Sequence, residues 1–163
     1  MTAVALASNT NEDALVLVDS IALGEVPVLA DSIFHFAAGI HGFESHHEFA
    51  LIPAAREGLF WLQSLNGRDV VFLLIDPFMA APGFEVDLGV TERGSLELDN
   101  PMDVLVLAIV TLPVGQTESP TANFRGPIVL NTRKRIAAQV MSAVQGHDVR
   151  TPVDLHVLPA RAE

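Results

Sequence analysis

The chain has 163 residues, 50% of them hydrophobic, with 20 acidic side chains against 9 basic ones and no cysteine. That length suits a single domain burying roughly 70% of its unfolded surface, and the lack of cysteine excludes disulfides, thiolate nucleophiles and thiolate-bound metals. A net charge of −11 works against direct binding of nucleic acid or an anionic membrane.

No apolar run approaches the ~18 residues of a membrane span. No basic residue precedes Arg56, so the charged start of a secretory leader is missing and the cytoplasm is the expected compartment. Residues 1–13 are small and polar and are expected to form a flexible tail. Residues 14–18 read as a first strand, Gly24 as a turn, and residues 26–29 and 32–36 as further strands. Residues 37–44 are turn-like, because Gly39 and Gly42 permit positive φ. Residues 49–52 form a short strand that stops at Pro53. Residues 59–65 and 70–75 predict a hairpin around Asn66-Gly67, a pair suited to a type I′ turn. Residues 78–83 read as loop, residues 84–88 as a half-buried strand, and residues 91–98 as one short helical turn.

The longest apolar run comes next. Residues 104–110 have no polar break, and Val104, Val106, Ile109 and Val110 are β-branched. Branching at Cβ favours a pleated backbone, and Pro101 and Pro113 bracket the run. A strand buried on both faces is expected here, at the centre of the domain. A polar loop over residues 115–126 leads to a second central strand at 127–131. Residues 132–135 form a basic hairpin tip, residues 136–144 its returning strand, and residues 153–158 an edge strand. The pattern predicts an all-β fold: a single small antiparallel β-barrel or closed β-sandwich with few short helical turns, over residues 14–158. Residues 159–163 are expected to be a flexible C-terminus.

The chemistry-bearing residues do not assemble a reaction centre. His41, Glu44, His46, His47 and Glu48 have the ligand types of a divalent metal site. His47-Glu48 opens like a zinc-protease motif, but Leu51 stands where its second histidine belongs, and a hydrated turn is the favoured reading. Ser45 beside His46 lacks a nucleophile elbow, and no glycine-rich phosphate loop occurs. Glu85 and Asp87 share a strand face and read as solvated. Neither an enzyme nor a cofactor is expected. A small-molecule-binding barrel is the alternative if the lumen is open, and a metal hydrolase using residues 41–48 is a weaker one. Charge is uneven: residues 1–118 carry 17 acidic and 3 basic groups, and residues 119–163 carry 3 acidic and 6 basic groups. An acidic surface of this kind suits either solubility or a basic partner.

Four segments together resemble the flagellar assembly factor FliW family. They are Gly24-Glu25-Val26 with Phe36, Gly39-Ile40 and Gly42-Phe43-Glu44; Phe49-Ala50-Leu51 leading to Phe60-Trp61-Leu62-Gln63-Ser64; Asp103 to Leu107 with Val110-Thr111-Leu112-Pro113; and Thr121-Ala122-Asn123-Phe124 with Gly126 to Asn131 and Gln139-Val140. Ala37 and His41 stand where the family usually has proline, Phe124 where it has leucine, and His147 where tyrosine is common. The resemblance implies a small all-β barrel, cytoplasmic and without catalytic activity. Its implied partners are flagellin and CsrA, a basic RNA-binding translational repressor that the freed protein would antagonise. Given those partners, the apolar and turn residues Ile40, Phe43 and Phe78 are expected as exposed contacts for flagellin, and Glu44, Glu85 and Asp87, acidic groups beside the apolar Phe84, as the contact for CsrA.

Overall fold

The computed structural model describes residues 14–115 and 118–161. The tail expected over residues 1–13, and the last two residues of the chain, lie outside the described residues. The strands are β1 (Leu15–Ser20), β2 (Gly24–Leu29), β3 (Ile33–Phe36), β4 (Glu48–Pro53), β5 (Leu59–Ser64), β6 (Val71–Ile75), β7 (Val104–Thr111), β8 (Thr121–Ala122), β9 (Ile128–Asn131), β10 (Ile136–Gln139) and β11 (Thr151–Pro152). Two short helices, α1 (Pro77–Ala80) and α2 (Val90–Ser95), lie between β6 and β7. No helix among the described residues is long and apolar enough to cross a membrane.

The architecture is a closed barrel. The ladder runs β7-β6-β5-β4-β3-β10-β9, and β9 pairs back onto β7. Every junction is antiparallel except β10 with β3, which pair in parallel through Ile136↔His35 and Ala137↔Phe36. β7 makes the closure. Val104 to Leu107 pair with β9, and Ala108 to Val110 pair with β6. One face of β7 points inward, where Leu107 packs with Phe36, Phe49, Leu62, Leu74, Ile128 and Leu130. The other face is covered too: Val106 lies under Leu96 and Val140, and Ala108 and Val110 lie beside Phe124 and Leu158. Burial on both faces is why this strand reads as unbroken apolar sequence and does not alternate. Phe36, Phe49, Leu62, Leu74, Leu107, Ile128 and Leu130 pack together in the interior, where the small-molecule-barrel alternative needs an open lumen.

The β1–β2 hairpin forms a separate two-stranded sheet. Its valines, Val18 and Val28, cover Ala50 on the outside of the barrel wall. The β9–β10 tip is organised by Asn131, whose buried side chain donates to Leu96 O at 2.9 Å and Glu97 O at 3.1 Å. Its Oδ1 accepts from the Arg133 and Lys134 amides at 3.1 and 3.0 Å.

Several expected elements differ. Residues 84–88 are not a strand: Phe84, Val86 and Leu88 do turn inward, but the closed barrel offers them no edge to pair with. Residues 78–80 belong to α1, because Pro77 starts it and Asp76 Oδ1 accepts the Phe78 amide at 2.9 Å; a cap and a first-turn proline favour a helix start. The β5–β6 hairpin forms, but neither Asn66 nor Gly67 has positive φ. Asn66 Oδ1 instead accepts from the His47 and Glu48 amides at 3.0 and 3.2 Å, tying the loop to the start of β4. β10 ends at Gln139, short of the expected 144. Residues 153–158 hold a single helical turn, Leu155–Val157, capped by Asp154, instead of an edge strand. Of the expected C-terminal tail, residues 159–161 are pinned: Arg161 donates to Ala54 O at 2.8 Å, Arg56 O at 3.0 Å and Leu59 O at 2.9 Å.

Candidate functional site

Two open clefts flank the turn at residues 123–126 and the loop that follows β10. The turn is an Asx turn: Asn123 Oδ1 accepts from the Arg125 amide at 3.1 Å and the Gly126 amide at 2.8 Å. Gln139, at the end of β10, locks it to a second turn. Its Nε2 donates to Gly126 O at 3.0 Å, and its Oε1 accepts from the His41 amide at 2.9 Å. Gly126 leaves room for this, since a Cβ there would sit 2.9 Å from Gln139 Nε2.

The first cleft has a volume of about 470 Å³ and lies between these two turns. Met141 and Val149 give it exposed apolar walls, while Glu44, His41 and Arg125 stand at its polar rim. The rim turn is tight. Gly39 N donates to Phe36 O at 3.1 Å, Phe43 N to Ile40 O at 2.6 Å and His46 N to Phe43 O at 3.1 Å. Glu44 Oε2 accepts from the Gly42 amide at 2.9 Å. That backbone bond, helped by the Glu44 amide and by His41, holds the Glu44 carboxyl below its ordinary value of 4.5. Glu44 therefore strengthens the turn when ionised, and this contribution is lost as pH falls through the lowered value. The Gly42 amide resonance is expected to titrate with a midpoint below 4.5; a midpoint at or above it would show that the bond does not persist in solution.

The second cleft, of about 310 Å³, lies on the other side of the 123–126 turn and carries an aromatic stack. The rings of Phe84 and His147 are parallel with centroids 4.9 Å apart. Phe124 and Phe78 each meet Phe84 edge-on at 5.1 Å. His147 Nδ1 and the Ser142 hydroxyl share a 2.6 Å hydrogen bond, which fixes the imidazole plane.

The structure redistributes the expected contact residues. Ile40 is not an exposed contact: it is 1% exposed and part of the barrel core, because the turn through Gly39 and Gly42 folds it inward. Phe43 is partly buried against Phe72, ring centroids 5.1 Å apart. Phe78 is 50% exposed and joins Phe84 in the aromatic stack. Glu44 lines the first cleft and Glu85 the second; Asp87 is exposed and lines neither. Sequence reasoning missed Met141 and Val149, which it placed in a returning strand and its aftermath, and it missed Gln139 as the clamp. Phe124 and His147, noted only as departures from the resembled pattern, turn out to be stacking partners.

The histidine cluster is drawn apart. His46 Nδ1 and the Ser64 hydroxyl share a 2.7 Å hydrogen bond, His47 Nδ1 donates to Phe36 O at 2.9 Å, and Glu48 accepts from His35 at 2.6 Å. Among the described residues no three histidine or acidic side chains gather as a metal-ligand set.

Comparison with known proteins gives a consistent result. The family model described as FliW protein matches residues 17–153. The chain is 36% identical to the flagellar assembly factor FliW of Treponema denticola over 121 residues, 74% of this chain and 81% of that protein. It is 38% identical to that of Treponema pallidum over 133 residues, 82% of this chain and 87% of that protein. It is also 38% identical to that of Moorella thermoacetica over 119 residues, 72% of this chain and 75% of that protein. Among solved structures, a crystal structure of the flagellar assembly factor FliW superimposes with a TM-score of 0.75 and 28% identity, covering 84% of this chain and 96% of that one.

Proposed function

The chain belongs to the FliW family of flagellar assembly factors, and from that premise we propose that it is a non-enzymatic regulatory adaptor of the cytoplasm. It holds flagellin before export. When export frees it, it binds the repressor CsrA and restores flagellin synthesis.

One observation carries the reading beyond family membership. Two clefts with apolar walls open beside a single turn, one with Glu44, His41 and Arg125 at its rim and the other with Glu85, on a chain with a net charge of −11. An unassembled amphipathic segment needs an apolar groove to shield its apolar face, and a basic RNA-binding protein is drawn to an acidic chain. Phe78, Phe84 and the second cleft are the proposed flagellin surface, with Phe43, next in sequence to Glu44, as a further contact. Glu44 and Glu85, with Asp87 nearby in sequence, are the proposed charges for CsrA.

The test uses host CsrA bound to its RNA. Titration with this protein is expected to release the RNA, less efficiently as salt rises, while the protein alone binds none. In parallel, Phe78→Ala is expected to keep its melting temperature and weaken flagellin binding on the order of tenfold, since a half-exposed aromatic anchor contributes to binding more than to folding. CsrA that keeps its RNA at saturating protein would overturn the regulatory role. A Phe78→Ala variant with full flagellin affinity would remove the second cleft from the flagellin surface.

A further inference from the structure

The loop between β5 and β6 gathers the parts of a reaction that needs no substrate. Of the chain's six asparagines, Asn66 alone is followed by glycine. A backbone amide can add to the side-chain amide carbon of the residue before it and close a succinimide ring, and glycine puts no side chain in the way. Asn66 is exposed. Its Oδ1 accepts from two backbone amides at the start of β4, His47 N at 3.0 Å and Glu48 N at 3.2 Å. Two amide donors on one oxygen are the arrangement that stabilises the oxyanion of a tetrahedral intermediate. The peptide that follows is held from its far side, because Gly67 O accepts from Gln63 Nε2 and from Val70 N, both at 3.2 Å. Gly67 N itself donates no hydrogen bond among the described residues. A side chain at this position would collide with a neighbour, since a Cβ on Gly67 would lie 2.9 Å from His46 Cε1.

We propose that Asn66 is a site of self-modification, deamidated by its own backbone with the His47 and Glu48 amides as the oxyanion hole. The Gly67 nitrogen adds to Asn66 Cγ, and the charge that develops on Oδ1 falls on donors already in place. The N–Cγ bond forms, the Cγ–Nδ2 bond breaks, and the proton of the Gly67 amide leaves with Nδ2 as ammonia. Water then opens the succinimide at either carbonyl, giving aspartate or isoaspartate at position 66. Both products add a negative charge where the loop is tied to β4. The aspartate form bonds the same two amides more strongly, because a carboxylate is the better acceptor. The isoaspartate form lengthens the main chain between β5 and β6 by a methylene and slackens the tie. β4 follows directly on the turn that holds Glu44, so the modification marks the age of a molecule on the strand that leads out of that turn.

Incubation of the full chain at neutral pH, once folded and once unfolded in guanidinium chloride, tests this. The tryptic peptide from Glu57 to Arg68 holds Asn66 as its only asparagine, and its mass rises as NH₂ is replaced by OH. Deamidation is expected to run roughly tenfold faster in the folded chain than in the unfolded one, because only folding supplies the two donors. An equal or slower rate in the folded chain would overturn the proposal and show that the two hydrogen bonds restrain the side chain without activating it. Glu48→Pro removes one of the donors at the first residue of a strand, where proline is accepted. With its melting temperature reporting the fold, this variant is expected to lose most of the difference between folded and unfolded rates. A folded Glu48→Pro protein that deamidates as fast as the parent would overturn the assignment of the oxyanion hole.

Discussion

Replacing Leu107 with aspartate is expected to abolish the folded state. Leu107 is fully buried in the barrel interior, on the strand that closes the barrel through β9. Loss of the side chain removes about 1.5–3 kcal/mol of burial. The carboxylate brings a larger penalty of several kcal/mol, because the interior around it holds Phe36, Phe49, Leu62 and Leu74 and no partner for a charge. Together these reach the lower part of the roughly 5–15 kcal/mol that a domain of this size has in total. Loss of the cooperative urea transition and of near-ultraviolet circular dichroism is the expected readout. Thr111→Asp is the control, since Thr111 ends the same strand at the surface and its variant should melt like the parent. A Leu107→Asp protein with an unchanged melting temperature would show that β7 is not the closing strand.

The second large effect is expected at Gly39. Its φ is +67°, and a Cβ would lie 2.6 Å from Phe43 O and 2.7 Å from Glu44 Cα. The left-handed conformation alone costs an L-residue about 1–2 kcal/mol. The clash adds to that, because both atoms belong to backbone, and backbone held in a tight turn cannot move aside as a flexible side chain does. Gly39→Ala is therefore expected to destabilise by about 2–4 kcal/mol and to displace the turn that carries Glu44. Gly24→Ala separates the two contributions. Gly24 has φ +78° and nothing within 4 Å of its would-be Cβ, so it should show only the conformational part. Equal melting temperatures for the two variants would mean that the contact at Gly39 is relieved at no cost. With the fold retained, Gly39→Ala should also shift the Gly42 amide, because Glu44 would no longer be positioned to accept from it.

The interior of the barrel was legible in the residues themselves. β-branched and aromatic runs at residues 59–64, 71–75, 104–111 and 128–131 are strands, because branching at Cβ and apolar burial act through the residues' own side chains. The candidate contacts were less legible. Ile40 has the same composition of neighbours as an exposed turn residue, yet Gly39 and Gly42 rotate it into the core. Asn66 looks like a turn residue and serves as a clamp on β4, since its side-chain oxygen finds two amides that no local pattern reveals. Phe84 and Val86 alternate as a strand would, but they pack outside the barrel against the cluster of Leu96, Val106 and Val140, and no strand pairs with them.

What the sequence by itself determined was local: which segments are extended, and where proline and glycine stop them. Backbone preference and side-chain shape act over a few residues, so these features are written where they occur. What only the tertiary structure decided was the pairing of distant segments. The parallel seam of β10 on β3, the inward turn of Ile40, and the meeting of Phe78, Phe84, Phe124 and His147 in one stack all depend on which surfaces remain after the barrel closes. Closure is a competition among many apolar faces for a limited interior. Its outcome depends on the relative burial and hydrogen bonding of the whole chain, and no single stretch contains that comparison.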